Sequence, residues 1–122
     1  MRIGVDIMGG DFAPEATTLG AILAQQELPD DARLVLIGDE EAILRILNRE
    51  GVDPSLFDIV PSTEIVEMGD HPTRALSRKP NSSISVGFQL LKTEELDALA
   101  SAGNTGAMLV GAMYSVRTIA GI

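Results

Sequence analysis

"DALASAGNTGAMLVGAM", residues 97–113, sets an apolar run against a loop of small residues, Ser101-Ala102-Gly103-Asn104-Thr105-Gly106, and continues with apolar residues at helical spacing. That order reads as a strand, a tight loop and the start of a helix. In a parallel sheet such loops lie at the C-terminal edge, where ligands bind. Free N–H groups and the helix dipole favour an anion there, and Gly103 and Gly106 carry no side chain to block its approach. Ser101, Asn104 and Thr105 could each add a donor. The alternative is ordinary capping, with Gly106 and Gly111 letting helices pack closely. Spacing alone leaves both readings open.

The same alternation runs through the chain. "RIGVDI" (2–7), "ARLVLIG" (32–38) and "FDIVPS" (57–62, cut by Pro61) read as strands, as does "LDALASAG". Between them "PEATTLGAILAQQE" (14–27), with Pro14 in its first turn, and "DEEAILRILNREG" (39–51), with Asp39 as cap and Gly51 as stop, read as helices. "STEIVEMGDHP" is loop or short strand. "PTRALSRK" (72–79) and "SSISVGFQLLKT" (82–93, capped by Asn81, Ser82 or Ser83) are two further helices around Pro80, and the last runs from Asn104 to Gly121. Strands separated by helices of this length mean βαβ units and a mostly parallel sheet.

The 122 residues suffice for one α/β domain, 1–122, and are short for a complete enzyme. A C-cap glycine at Gly121 followed only by Ile122 reads as a fragment boundary. Asp6 in the opening stretch argues against a secretory signal, and no run approaches the roughly 18 apolar residues of a membrane span.

With 18 Asp plus Glu against 9 Lys plus Arg, the formal charge of −9 disfavours nucleic acid and anionic lipid as partners. The absence of cysteine excludes disulfides, thiolate metal sites and a thiol nucleophile, and fits a reducing compartment. A single histidine excludes a histidine-rich metal site.

Three other places bear on chemistry. In "VDIMGGDFAP" a strand runs into Gly9-Gly10-Asp11, either a tight turn with Asp11 as helix cap or a loop whose backbone N–H groups face a ligand. Its spacing is neither that of a dinucleotide loop nor that of a phosphate loop. Asp6 and Asp11 lack a third oxygen donor for a metal, so no metal is assigned. From His71 to Thr93 there is no acid, yet Arg74, Arg78, Lys79 and Lys92 fall there, four of the nine basic residues. Arg74 and Arg78 lie one turn apart and form either a solvated face or a patch for an acidic partner. His71 beside Asp70 reads as a loop residue, because adjacent residues seldom face each other and a nucleophile elbow is missing.

Taken in order, "VDIMGGDFAP", "LIGDEEAI", "EMGDHP", "RKPNSSISVG" and "SAGNTGA" resemble the N-terminal part of the PlsX family of bacterial phosphate acyltransferases, from Arg2 to Ile122. Ile7, Gly69, His71 and Asn81 depart from that pattern. The resemblance implies a three-layer α/β/α fold of the isocitrate/isopropylmalate dehydrogenase-like class. It further implies a homodimer, cytoplasmic and peripherally membrane-associated through parts beyond Ile122, with no cofactor.

The activity implied is transfer of a long-chain acyl group from an acyl carrier protein thioester to inorganic phosphate, giving acyl phosphate for phospholipid synthesis. Direct attack of phosphate needs no enzyme nucleophile, so the protein's tasks are to position phosphate and stabilise the carbonyl oxyanion. Ser101, Asn104 and Thr105 are the candidate catalytic residues, with Gly9, Gly10, Asp11, Gly103 and Gly106 binding phosphate or shaping its wall. Arg74, Arg78 and Lys79 are candidates for docking the acidic carrier protein. Two rivals stand beside this reading: a phosphotransacetylase-like enzyme acting on acyl-coenzyme A, and a non-catalytic anion- or nucleotide-binding module.

Overall fold

The computed structural model describes residues 1–116. Four strands, β1 (Arg2–Asp6), β2 (Arg33–Gly38), β3 (Asp58–Pro61) and β4 (Ala98–Ala100), form one sheet in the order β3-β2-β1-β4, and every pair is parallel. The chain moves outward from β1 to β3, then crosses back to lay β4 on the other side of β1. That reversal puts a topological switch point between β1 and β4.

The crossovers decide the layers. Helices α1 (Glu15–Glu27) and α2 (Glu40–Arg49) cover one face, and α3 (Pro72–Arg78), α4 (Ser83–Lys92) and α5 (Thr105–Ser115) occupy the other side, giving an α/β/α arrangement. In β2 the period of two sends Leu34 and Leu36 toward α1 and α2, and Val35 and Ile37 toward α4. Four consecutive buried aliphatic residues of this kind are the pattern of a strand covered on both faces. Each contributes about 1.5–3 kcal/mol through burial.

Local signals end the elements. Asp39 accepts from the N–H groups of Glu41 and Ala42 (3.1 and 3.3 Å) to start α2, whose Ala42, Ile43, Ile46 and Leu47 face the core, and Gly51 leaves it at φ +69°. Ser82 caps α4 by accepting from Ser85 N–H at 3.2 Å. Pro61 closes β3 rather than cutting it, which an edge strand tolerates.

Some expectations are corrected. Residue Pro14 occupies the N-cap of α1, not its first turn, so the cap is not Asp11, and the N-cap makes no side-chain capping bond among the described residues. The fourth strand is three residues long because Ser101 onward turns into the loop. Residues 62–71 are loop, apart from a single bridge between Glu64 and Ser82. The final helix is described to Ser115, and its expected end at Gly121 lies outside the described residues.

At the opposite, N-terminal edge, Asp58 gathers the guanidinium groups of Arg2 and Arg33, while Arg33 also donates to the carbonyls of Ser55 and Phe57 at 2.8 and 3.0 Å. Burial alone would raise the Asp58 pKa, but the hydrogen bonds from Arg33 and Arg2 outweigh it and hold the carboxyl below its ordinary value. This cluster ties strand starts together, far from the loops at the C-terminal edge.

Candidate functional site

The parallel register pairs Val5 with Ala100, so the next residues, Asp6 and Ser101, emerge side by side at the switch point. Period two puts both on the α4 side of the sheet, where α4 begins with Ser83. Asp6 is 1% exposed and accepts three hydrogen bonds: from Met8 N–H at 3.1 Å, from Ser101 Oγ at 2.7 Å and from Ser83 Oγ. Its charge sits at the N-terminus of α4, where the helix dipole favours an anion. One buried carboxylate thus fastens the ends of two strands to the start of a helix.

Around it the backbones close in. A Cβ on Gly9 would stand 2.6 Å from Asp6 Oδ2 and 2.8 Å from Gly103 N, and one on Gly103 would stand 3.2 Å from Gly9 Cα. The two glycine loops therefore pack backbone on backbone, which no larger residue permits. Gly10 adopts φ +103°, the left-handed region, and turns the first loop toward Ala102. Gly106 serves packing as well: a Cβ there would collide with Pro72, just as one on Gly111 would collide with Phe88.

Asn104 departs from its expected role. It is 4% exposed, its Oδ1 accepts from Ala107 N–H at 2.9 Å, and its Nδ2 donates to the carbonyls of Glu67 and Asp70, each at 3.0 Å. Both ends of the amide are spent, so Asn104 is a cap and a tether for the 67–70 loop rather than a donor to a ligand. What the α5 start leaves open is backbone: among the described residues, the N–H groups of Thr105 and Gly106 meet no acceptor. Thr105 itself is exposed.

Ser101 is partly exposed. It donates its proton to Asp6 and accepts from Gly103 N–H at 3.0 Å. Asp11 is exposed and borders a cleft of about 290 Å³ between the first glycine loop and residues 65–69, with Met8, Met68 and Glu67 also on its walls. Two carboxylates on that cleft, Asp11 and Glu67, oppose an anion rather than attract one.

The basic cluster divides. Lys79 donates to Asp70 at 2.8 Å and to the Ile65 carbonyl at 2.7 Å, so it straps the 65–70 loop and is not a free docking cation. That hydrogen bond first, and the one from Glu67 N–H second, hold Asp70 below the usual aspartate range. Arg74 and Arg78 are exposed and make no ion pair among the described residues. His71 is exposed at the N-cap of α3 without a side-chain capping bond.

Sequence reasoning missed Asp6 and Ser83 as organisers of the site. The available signal was a carboxylate inside an apolar strand, between Val5 and Ile7, which a buried charge must explain by partners.

These features define a doubly wound α/β protein whose loops after β1 and β4 meet at the switch point, the place where proteins of this fold class bind ligands. Over residues 1–122 the chain matches the family described as "Fatty acid synthesis protein", and it belongs to that family. It is 45% identical over 118 residues to a phosphate acyltransferase of Brevibacillus brevis, covering 96% of this chain and 34% of that protein. It is 43% identical to one of Dictyoglomus thermophilum, covering 100% and 36%. For one of Herpetosiphon aurantiacus the identity is 40%, covering 100% and 33%. The chain thus spans about a third of the length of the curated relatives it matches.

Proposed function

We propose that this chain forms the N-terminal part of a phosphate acyltransferase that moves a long-chain acyl group from the thioester of acyl carrier protein to inorganic phosphate. The observation that carries the reading is the meeting of the D-x-x-G-G and S-A-G-N-T-G loops at one switch point, joined through Asp6 and Ser101. The name shared by relatives that align along 96–100% of the chain supports it.

Phosphate attacks the thioester carbonyl carbon, the C–S bond breaks, and the carrier-protein thiolate leaves with the proton that phosphate gives up. No covalent enzyme intermediate is needed. The open N–H groups of Thr105 and Gly106 bind phosphate or the carbonyl oxyanion, where electrostatic stabilisation counts most. Gly9, Gly10 and Gly103 fix the facing wall, and Asn104 positions the α5 start. Arg74 and Arg78 present the positive surface on which an acidic carrier protein docks.

The complete enzyme is a homodimer in the cytoplasm, held at the membrane periphery by parts beyond this chain, so that acyl phosphate is released beside the acyltransferase that consumes it. Phosphate-dependent release of carrier-protein thiol by the full-length gene product tests the reading. Release from the carrier-protein thioester in preference to the coenzyme A thioester is the expected result. Preference for coenzyme A would replace the carrier protein as donor, and stabilisation by nucleotide but not by phosphate would point to a binding module.

A further inference from the structure

Asp6 reaches the site through Ser101, and its effect on that hydroxyl determines what Ser101 can recognise. A serine hydroxyl has one proton and two acceptor positions. The proton goes to Asp6 Oδ2 at 2.7 Å, and one acceptor position takes Gly103 N–H at 3.0 Å. A single acceptor position remains, with no partner among the described residues. The Ser101 proton cannot turn away cheaply, because Asp6 is buried and its Oδ2 has no other hydrogen-bond donor among the described residues, Met8 N–H and Ser83 Oγ both going to Oδ1. Ser101 therefore offers a ligand an acceptor and not a donor.

We propose that Asp6 is a positioning residue that turns Ser101 into a selector for a protonated oxyanion, hydrogen phosphate, against a bare one such as sulfate. The inference rests on the phosphate reading above and specifies which form of the anion the site takes. Inorganic phosphate keeps at least one P–OH at neutral pH and can donate to Ser101 Oγ, whereas sulfate has no proton to give and meets lone pair with lone pair. A site built around a hydrogen bond that one ligand makes and its analogue lacks discriminates strongly between them. The backbone N–H groups of the α5 start bind either anion alike, so the preference is assigned to Ser101.

The test is competition between phosphate and sulfate on the full-length protein, by calorimetry and as sulfate inhibition of the phosphate-dependent reaction. Wild type should bind phosphate at least about tenfold more tightly than sulfate. In D6N the amide oxygen stays with Met8 N–H and the amide nitrogen faces Ser101, donating to it and freeing the serine proton for the ligand. Discrimination should then fall toward unity and the phosphate KM should rise, with kcat less affected. Should D6N not fold, S101A provides the same loss of discrimination, and S101T, which keeps the hydroxyl, restores it. Equal binding of the two anions by wild type, or undiminished discrimination in folded D6N and S101A, overturns the Asp6–Ser101 selector and leaves the phosphate reading standing. Absence of any phosphate binding overturns the phosphate reading, and this inference with it.

Discussion

The side-chain amide of Asn104 donates to the carbonyl of Asp70 at 3.0 Å, while its oxygen accepts from Ala107 N–H at 2.9 Å. One residue thereby caps α5 and holds the loop that precedes α3. Replacing Asn104 by Ala removes the cap and leaves the carbonyls of Glu67 and Asp70 without their donor, a cost of about 2–4 kcal/mol in urea unfolding. Asn104→Asp keeps the cap but turns an acceptor toward those carbonyls, so it should lose nearly as much. A variant as stable as wild type would show that the loop does not depend on Asn104.

Glycines at two places should respond in opposite directions. Gly9→Ala forces a Cβ to 2.6 Å from Asp6 Oδ2 and 2.8 Å from Gly103 N, and overpacking of this kind costs about 1–3 kcal/mol. Gly20, exposed within α1, has no described residue beyond its own helix backbone and chain neighbours within 4 Å of the place a methyl group would take, so Gly20→Ala should gain about 0.5–1 kcal/mol from helix propensity. Thermal unfolding of the pair checks both signs.

Lys79 and Asp70 give the fold a pH dependence. The folded pKa of Asp70 lies below its ordinary value of about 3.9, so the ion pair contributes fully above that value and is lost as pH falls through the lower, folded one. In Lys79→Met the Asp70 pKa should climb back toward the ordinary range, read by NMR titration of the carboxyl. The stability difference between variant and wild type should shrink in acid below that range. An Asp70 titration unmoved by the substitution would remove Lys79 from its environment.

Arg74 and Arg78 are the exposed cations of α3 without an acidic partner among the described residues. Reversing both to Glu in the full-length protein should raise the KM for the carrier-protein thioester several-fold at low salt, with less effect at high salt, while the phosphate KM stays the same. Unchanged carrier-protein kinetics would place docking elsewhere.

Much of the fold was legible because its signals are local. Asp39 before an amphipathic run, and aliphatic residues 34–37 without a polar interruption, identify α2 and β2 from adjacent residues alone. The length of β4 was not legible, since "LDALASAG" stays apolar past the point where Ser101 leaves the ladder to bond Asp6. That the two glycine loops belong together is legible in the sequence, but what individual side chains bond to is not. Asn104 reads as a donor until its partners, 34 and 37 residues away, consume the amide. Asp6 reads as a carboxylate with too few oxygen neighbours for a metal until Ser83, 77 residues on, and Ser101, 95 residues on, close around it. Lys79 looks like its neighbours Arg74 and Arg78, and only tertiary contact distinguishes the strap from the cations that pair with no acid among the described residues.

Hydroxylamine trapping of the acyl phosphate that the full-length gene product forms from an acyl carrier protein thioester bears most closely on the proposed reaction. A fatty hydroxamate, above a no-enzyme control, should appear only when phosphate is present and in step with thiol release. Thiol release that proceeds without phosphate and yields free fatty acid would contradict the proposal, as would the absence of any turnover.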